Sequence, residues 1–217
     1  MFSKLKDPLS GFTHFIGICL AAIGMVLLIL ESSDPVKPWH IATFIVFSTG
    51  MILLYLASTL YHWLPLSKEG SRLLKKFDHM MIFFLIAATY TPICLIPLRG
   101  PLGWGMFGAI WGIAAVGLFF KVFWIQAPRW LSATIYVLMG WLIIVGIVPL
   151  VEVLQPGAVF WLVNGGLLYT AGAVIYIIKR PDPWPSIFGF HEVFHIFVMA
   201  GSFSHFLVMY QYITLFD

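Results

Sequence analysis

Seven long apolar runs constrain this chain more than any other feature of its sequence. A helix rises about 1.5 Å per residue, so about 20 apolar residues cross the roughly 30 Å hydrocarbon core of a bilayer. Of the 217 residues, 61% are hydrophobic and only 10% are charged. We therefore expect an all-α integral membrane protein, with residues 1–217 forming a single seven-helix transmembrane domain. The predicted spans are residues 12–31, 39–64, 74–97, 102–123, 130–151, 157–179 and 187–213.

The distribution of basic residues predicts the orientation of this bundle. With seven spans, the N-terminus and the second, fourth and sixth loops share one side of the membrane, and this side carries ten of the twelve Lys and Arg residues. Only Lys37 and Arg99 fall on the other side. By the positive-inside rule, we expect the N-terminus to be cytoplasmic and the C-terminus to be outside. The net charge of +3 follows from this topology and gives no reason to expect a nucleic-acid partner.

Four ionisable residues are predicted to converge at one depth in the membrane. His62 lies near the cytoplasmic end of the second run, Asp78 lies in the first turns of the third, and His191 and His195 lie in the first turns of the seventh. Ionisable groups within a span are costly and usually serve a function. The alternation of the helices brings all four into the cytoplasmic leaflet.

The spacing of the histidines predicts a metal site. His191 and His195 are four residues apart, so they project from one helix face and can chelate one Zn²⁺. A third nitrogen from His62 would complete a three-histidine site with an open position for water, as in catalytic zinc sites. The alternative is a set of unliganded polar residues that hydrogen-bond between helices.

Three further residues are candidates for roles around such a metal. Asp78 is expected to hold the metal-bound water or to act as general base. Ser58, on the same helix face as His62, and His14, near the start of the first helix, are expected to support the ligands or the water from outside the ligand set.

Glu192 permits a second interpretation of the same stretch. Residues 191–195 read H-E-x-x-H, the helix signature of zinc proteases in which the Glu is the general base. A protease would need a third ligand from elsewhere in the chain. The participation of Glu192 stays open at this point.

Several glycines are predicted to allow close contact between helices. Gly108 and Gly112 lie in the fourth run, and Gly165 and Gly166 lie in the sixth. Small residues at such positions let the backbones of membrane helices approach each other.

Four motifs together resemble a known family. They are "DPLSGFTHFIG" near the N-terminus, Ser58-x-x-x-His62, "FDHMMIF" with Asp78, and His191-x-x-x-His195. In order, spacing and helix number they are similar to the hemolysin III family, the bacterial branch of the progestin and adipoQ receptor (PAQR) family, over essentially the whole chain. The resemblance implies a multi-pass protein of the bacterial plasma membrane, with zinc held in the cytoplasmic leaflet by His62, His191 and His195. It also implies that Asp78 and Ser58 contact the metal through water or from outside the ligand set.

The resemblance suggests an activity and leaves alternatives. The PAQR family is grouped with alkaline ceramidases in a proposed hydrolase superfamily, which suggests metal-assisted cleavage of a lipid amide or ester, with a membrane lipid as substrate. A non-enzymatic, zinc-containing sensor or regulator of membrane state, with a lipid as ligand, is the second hypothesis. A cytolysin, suggested by the family name, and an H-E-x-x-H intramembrane protease are weaker alternatives. The sequence predicts neither the substrate nor the oligomeric state.

Overall fold

The computed structural model describes residues 5–185 and 187–216, and this part of the chain is almost entirely helical. Within it, seven helical spans are long and apolar enough to cross a membrane. The α-helices are α1 (Pro8–Glu31), α2 (Pro38–Trp63), α3 (Lys68–Leu95), α4 (Pro101–Phe123), α5 (Arg129–Gly140), α6 (Ile147–Val153), α7 (Pro156–Ile178) and α8 (Phe190–Gln211). The helices α5 and α6 together form the fifth span, so α7 and α8 are the sixth and seventh.

Proline sets the start of four of these helices. Pro8, Pro38, Pro101 and Pro156 each occupy the first position of their helix. Proline lacks an N–H, which has no intrahelical partner at that position, and its fixed φ suits the first turn. The punctuated loops of the sequence therefore end and restart the helices close to the predicted positions.

The third helix begins at Lys68, earlier than the predicted residue 74. The Ser67 hydroxyl caps this helix by accepting a hydrogen bond from the Gly70 backbone N–H at 3.2 Å. The span was predicted from the apolar residues alone, so its predicted start excluded the first turns of α3, which are charged. The helix thus continues beyond its apolar run, whereas α8 begins at Phe190, later than the predicted residue 187.

The fifth span is interrupted in its middle. Residues Trp141–Gly146 form a 3₁₀-helix between α5 and α6, which the prediction of one uninterrupted span over residues 130–151 missed. The Tyr90 hydroxyl of α3 donates to the carbonyl of Gly140 at 2.6 Å, and the carbonyl of Met139 lies 3.1 Å from it. Backbone groups released by a break inside a membrane need such partners.

The core of the bundle lies on α2 and α3. Within an apolar 18-residue window of each span, 56% of the residues of α2 and 67% of those of α3 are buried. The buried share is 28% in each of α1, α4 and α7. The helices α1 and α8 pack against each other, and α7 packs against α8. The ends at which α2 and α7 finish and α1, α3 and α8 begin therefore meet at one end of the bundle, called here the histidine end.

Candidate metal centre

Three histidine rings converge at the histidine end of the bundle. One ring nitrogen each from His62, His191 and His195 lies within 4.8 Å of the other two. The Nε2 atoms of His62 and His191 are 3.1 Å apart. Two nitrogen ligands of a tetrahedral metal, with bonds of about 2.05 Å, lie about 3.3 Å apart. The residues present therefore fit a metal ion, although a hydrogen bond between two neutral rings would also produce the 3.1 Å contact.

The outer nitrogens of two of these rings have partners that orient them. Nδ1 of His62 lies 3.0 Å from Oδ2 of Asp7. Nδ1 of His195 lies 3.2 Å from the Ser10 carbonyl and 3.0 Å from the Thr13 hydroxyl. A proton on Nδ1, donated to the carboxylate or the carbonyl, leaves the lone pair on Nε2. This is how histidine ligands of protein metal sites are usually held.

The start of α1 positions these partners. The backbone N–H of Asp7 donates to the carbonyl of His62 at 2.8 Å, and Nε1–H of Trp63 donates to the carbonyl of Pro8 at 3.0 Å. A methyl group at Gly11 would lie 2.2 Å from the Trp63 ring, so glycine is needed for this close approach. The first turns of α1 therefore pack against the end of α2, where they place Asp7 beside His62.

Asp78 and Ser58 line the same cavity as the three histidines. Ser58 is 1% exposed, on α2. Oδ2 of Asp78 lies 3.5 Å from Nδ1 of His79, which in turn lies 2.9 Å from the Lys75 carbonyl. The structure thus brings both predicted residues to the cavity of the histidines, and their roles towards a metal stay predictions.

His14 contacts the cluster through its ring face. Its ring stacks on that of His195, with centroids 3.7 Å apart and planes 10° apart. Among the described residues, neither ring nitrogen of His14 has a hydrogen-bond partner, and the side chain is buried. His14 thus contacts the cluster by ring stacking, and its supporting role towards a metal stays a prediction.

Glu192 has both carboxylate oxygens engaged away from the histidines. Oε2 accepts a hydrogen bond from the backbone N–H of Gly189 at 2.8 Å, at the start of its own helix, and Oε1 accepts one from the hydroxyl of Ser10. A carboxylate within the first turn of a helix also interacts favourably with the helix dipole. Glu192 in this position links the start of α8 to α1, and its participation at a metal stays untested.

Two cavities adjoin the histidine cluster. The larger, of about 630 Å³, is mainly apolar and extends along α3 from Asp78 to Ile93, a rise of about 22 Å over fifteen residues. The second, of about 540 Å³, has a mixed lining, in which Leu9 and Phe190 lie beside the charged residues Asp7, Asp182 and Glu192. His62 and His191 line both cavities. A reacting group held at these two side chains would adjoin both the apolar chamber and the cleft that contains charged side chains.

Comparison with known proteins adds the family. A family model described as "Haemolysin-III related" matches residues 2–206. The chain belongs to the haemolysin-III family. The "Hemolysin-3" of Bacillus cereus is 38% identical over 208 residues, which are 96% of this chain and 92% of that protein. The "Hemolysin-3 homolog" of Bacillus subtilis (strain 168) is 36% identical over 212 residues, which are 98% and 96% of the two chains.

More distant relatives extend to animals. The human "Monocyte to macrophage differentiation factor" is 27% identical over 208 residues, which are 93% of this chain and 82% of that protein. It is a relative of the PAQR type, which confirms the resemblance drawn from the motifs. Seven apolar helices, the family and the Bacillus relatives make this haemolysin-III protein a multi-pass protein of the bacterial plasma membrane, as predicted.

Three residues at the site of this haemolysin-III protein were not predicted from its sequence. Asp7, Ser10 and Thr13 hold the rings or the carboxylate of residues that are distant in sequence. The available signal was the spacing of Asp7, Ser10 and His14 at the start of an apolar helix, since residues three and four apart share a helix face. The sequence therefore indicates a polar face on the first helix, at the same end of the bundle as His62.

Proposed function

We propose that this protein is a zinc-dependent intramembrane hydrolase that cleaves an amide or ester bond of a membrane lipid. The observation that carries the proposal is the convergence of three histidine nitrogens at the wall of an apolar cavity, with His62 and His191 also lining a second cleft that contains charged side chains. A lipid chain suits the first chamber, and water suits the second. Zinc is the proposed metal because three neutral imidazoles with an open fourth position form a common catalytic zinc set.

The chain's own residues divide the work. Bound zinc would polarise the carbonyl of the substrate and lower the pKa of its bound water to about 7. His62, His191 and His195 would hold the metal, and Asp7, 3.0 Å from Nδ1 of His62, would fix the orientation of that ring. Asp78, in the wall of the same cavity, accepts the proton of the attacking water and returns it to the leaving group. The apolar walls hold the acyl chain and exclude bulk water from the bond that is cleaved.

Metal analysis beside lipid turnover tests this proposal. We expect purified wild-type protein to carry about one zinc per chain, as a single three-histidine site implies. His191→Ala should lose the metal, whereas Asp78→Asn should retain it and lose fatty-acid release from an amide or ester lipid. Glu69→Gln is a matched control, because Glu69 is an exposed carboxylate in the first turn of the same helix. Stoichiometric zinc without fatty-acid release from a broad panel of lipids would contradict the hydrolase.

A regulator without turnover is the second candidate. The observation that favours it is the set of contacts that tie α1, α2 and α8 together at the cluster, through Asp7, Ser10 and Thr13. A metal bound there would stabilise this junction whether or not any bond is cleaved. In that case Asp78→Asn should leave function in cells unchanged, and His62→Ala should lower thermal stability. Loss of cellular function in Asp78→Asn, with zinc and stability retained, would exclude the regulator.

A further inference from the structure

Lys121 is a buried cation in the wall of the larger cavity. It lies near the end of α4, is 1% exposed, and lines the cavity with Ser132 and Arg129. The end of α4 and the start of α5 lie at the histidine end, so Lys121 lies at the same end of the cavity as the histidine cluster. The cavity therefore has histidines on one wall and a lysine on another.

The surroundings of the Lys121 ammonium contain few partners. Its Nζ donates one hydrogen bond, to the Ser132 hydroxyl at 2.5 Å, and lies 5.5 Å from the centroid of the Phe120 ring. Among the described residues, no carboxylate lies within the 4.0 Å of an ion pair with it. An ammonium has three donors, and burial of an ion without a counter-charge is costly. Ionisable residues within a membrane span usually mark functional sites.

Two further cations border the same part of the cavity. Lys75 lies on α3, one turn before Asp78, and Arg129 begins α5. The Arg129 guanidinium lies over the rings of Tyr176 and Phe190, with its carbon 5.4 and 6.0 Å from their centroids. Asp78 is the one carboxylate among the residues that line this cavity, so the polar end is cationic on the side of α4 and α5.

The remainder of the cavity is apolar. Its deeper wall includes Leu85, Ile93, Ile143 and Leu162. A molecule that satisfies both parts needs one hydrocarbon chain for the deep wall and one anionic group for Lys121. A free anion would leave the apolar deep wall without a hydrocarbon partner. A neutral lipid would leave the Lys121 ammonium without an anionic partner.

We propose that the larger cavity binds a single-chain amphiphile with an anionic head group, and that Lys121 is the residue that selects the charge. The head group accepts hydrogen bonds from the Lys121 ammonium, while the chain lies along α3 towards Ile93. As the substrate class of the hydrolase, this inference rests on the proposed function. The binding itself requires neither turnover nor metal.

Binding to metal-free protein tests the inference. Wild-type protein stripped with a chelator, in phosphatidylcholine nanodiscs, is titrated calorimetrically with dodecyl phosphate and with dodecylphosphocholine, which shares the chain and the phosphate but carries no net charge. We expect about tenfold tighter binding of dodecyl phosphate, the ratio that one modest charge interaction gives. Inorganic phosphate alone should not compete at the same concentrations. Equal affinities for the two amphiphiles, or equal competition by inorganic phosphate, would overturn the inference.

Variants assign the preference to Lys121. Lys121→Met should reduce the preference to within about twofold, because the charge is lost and the apolar stem is retained. Lys121→Arg should keep it, and so should the control Lys68→Met, which removes an exposed lysine at the start of α3. A preference that persists in Lys121→Met would refute the role of this residue. If that variant does not fold, loss of the preference in Lys121→Arg would refute it as well.

The binding preference and the proposed hydrolysis can fail independently of each other. An anionic preference in a protein that cleaves no lipid would leave this inference standing and remove the hydrolase. Cleavage of neutral lipids by a protein that binds both amphiphiles equally would retain the hydrolase and remove this inference.

Discussion

At the scale of single residues, the candidate metal centre includes side chains that contact the histidine rings on the Nδ1 side, away from the point where the rings converge. Asp7 and Thr13 contact the Nδ1 atoms of His62 and His195, and Ser10 contacts Glu192. Partners of this kind fix the ring tautomer and orientation, and they raise the basicity of the nitrogen that faces a metal. Substitutions at these positions are expected to change metal affinity without removing a ligand.

Asp7→Asn is expected to weaken zinc binding by about 10- to 100-fold, the usual cost of losing such a partner. The amide cannot stabilise the Nδ1–H of His62 as a carboxylate does. Competition with a chromophoric chelator in detergent measures the affinity. Glu31→Gln is the control, because Glu31 is exposed at the opposite end of the same helix. An unchanged affinity in Asp7→Asn would show that Asp7 does not hold the ligand.

Glu192→Gln distinguishes a structural glutamate from a general base. We expect the variant to keep its zinc. Its free energy of unfolding should fall by about 1–3 kcal/mol, because the Gln amide has one oxygen, and so either the Gly189 N–H or the Ser10 hydroxyl loses its acceptor. Thermal unfolding and metal analysis are the measurements, with Glu69→Gln, an exposed carboxylate in the first turn of α3, as control. Abolished hydrolysis at unchanged stability would favour the protease interpretation.

At the scale of elements, close contact between helices depends on glycines that the sequence did not single out. A methyl group at Gly117 of α4 would lie 2.3 Å from the ring of Phe83 on α3, and one at Gly103 would lie 2.2 Å from the Cys94 carbonyl. Among the described residues, a methyl at Gly108 or Gly112 would meet no atom within 4 Å, so the prediction of close packing at these two positions was wrong.

The physical reason is that the sequence of α4 is apolar on every side. A helix that is hydrophobic all round gives no periodic signal of which face meets its neighbours. The prediction for Gly165 of α7 was correct, since a methyl there would lie 2.5 Å from the His205 ring.

Gly117→Ala is therefore expected to destabilise the bundle, by about 1–3 kcal/mol, because α3 and α4 must separate or the Phe83 ring must move. Gly112→Ala, in the same helix, is the matched control and should be neutral or slightly stabilising. Thermal unfolding in detergent compares the two variants. Equal stability of Gly117→Ala and wild type would show that α3 and α4 do not pack as described.

At the scale of the whole molecule, the number of spans and the place of the site were predictable, and the connections of the site were not. Length and hydropathy give seven spans, and their alternation puts His62, Asp78, His191 and His195 at one end. The contact of Ser10 with Glu192 joins residues separated by 182 positions, and no local pattern encodes such a contact. The break within the fifth span also depends on a residue from another helix, Tyr90.

The orientation of the molecule stays a prediction that fusions can test. Because ten of the twelve Lys and Arg residues lie on the N-terminal side, this side should be cytoplasmic. Alkaline phosphatase fused after Asp217 should be active, and the same enzyme fused after Arg180 should be inactive. Green fluorescent protein should give the opposite result at the two positions. The reverse pattern would place the histidine end outside the cell.

The distance along the chain between the histidines bears on how the protein is made. His62 and His191 are 129 residues apart, and they meet only after α8 has packed against α1. Until the last helix has left the ribosome and entered the bilayer, the nascent chain has one of the three rings and cannot assemble the centre. A metal held by these three rings would therefore be acquired only after α8 has inserted, as the last step of biogenesis.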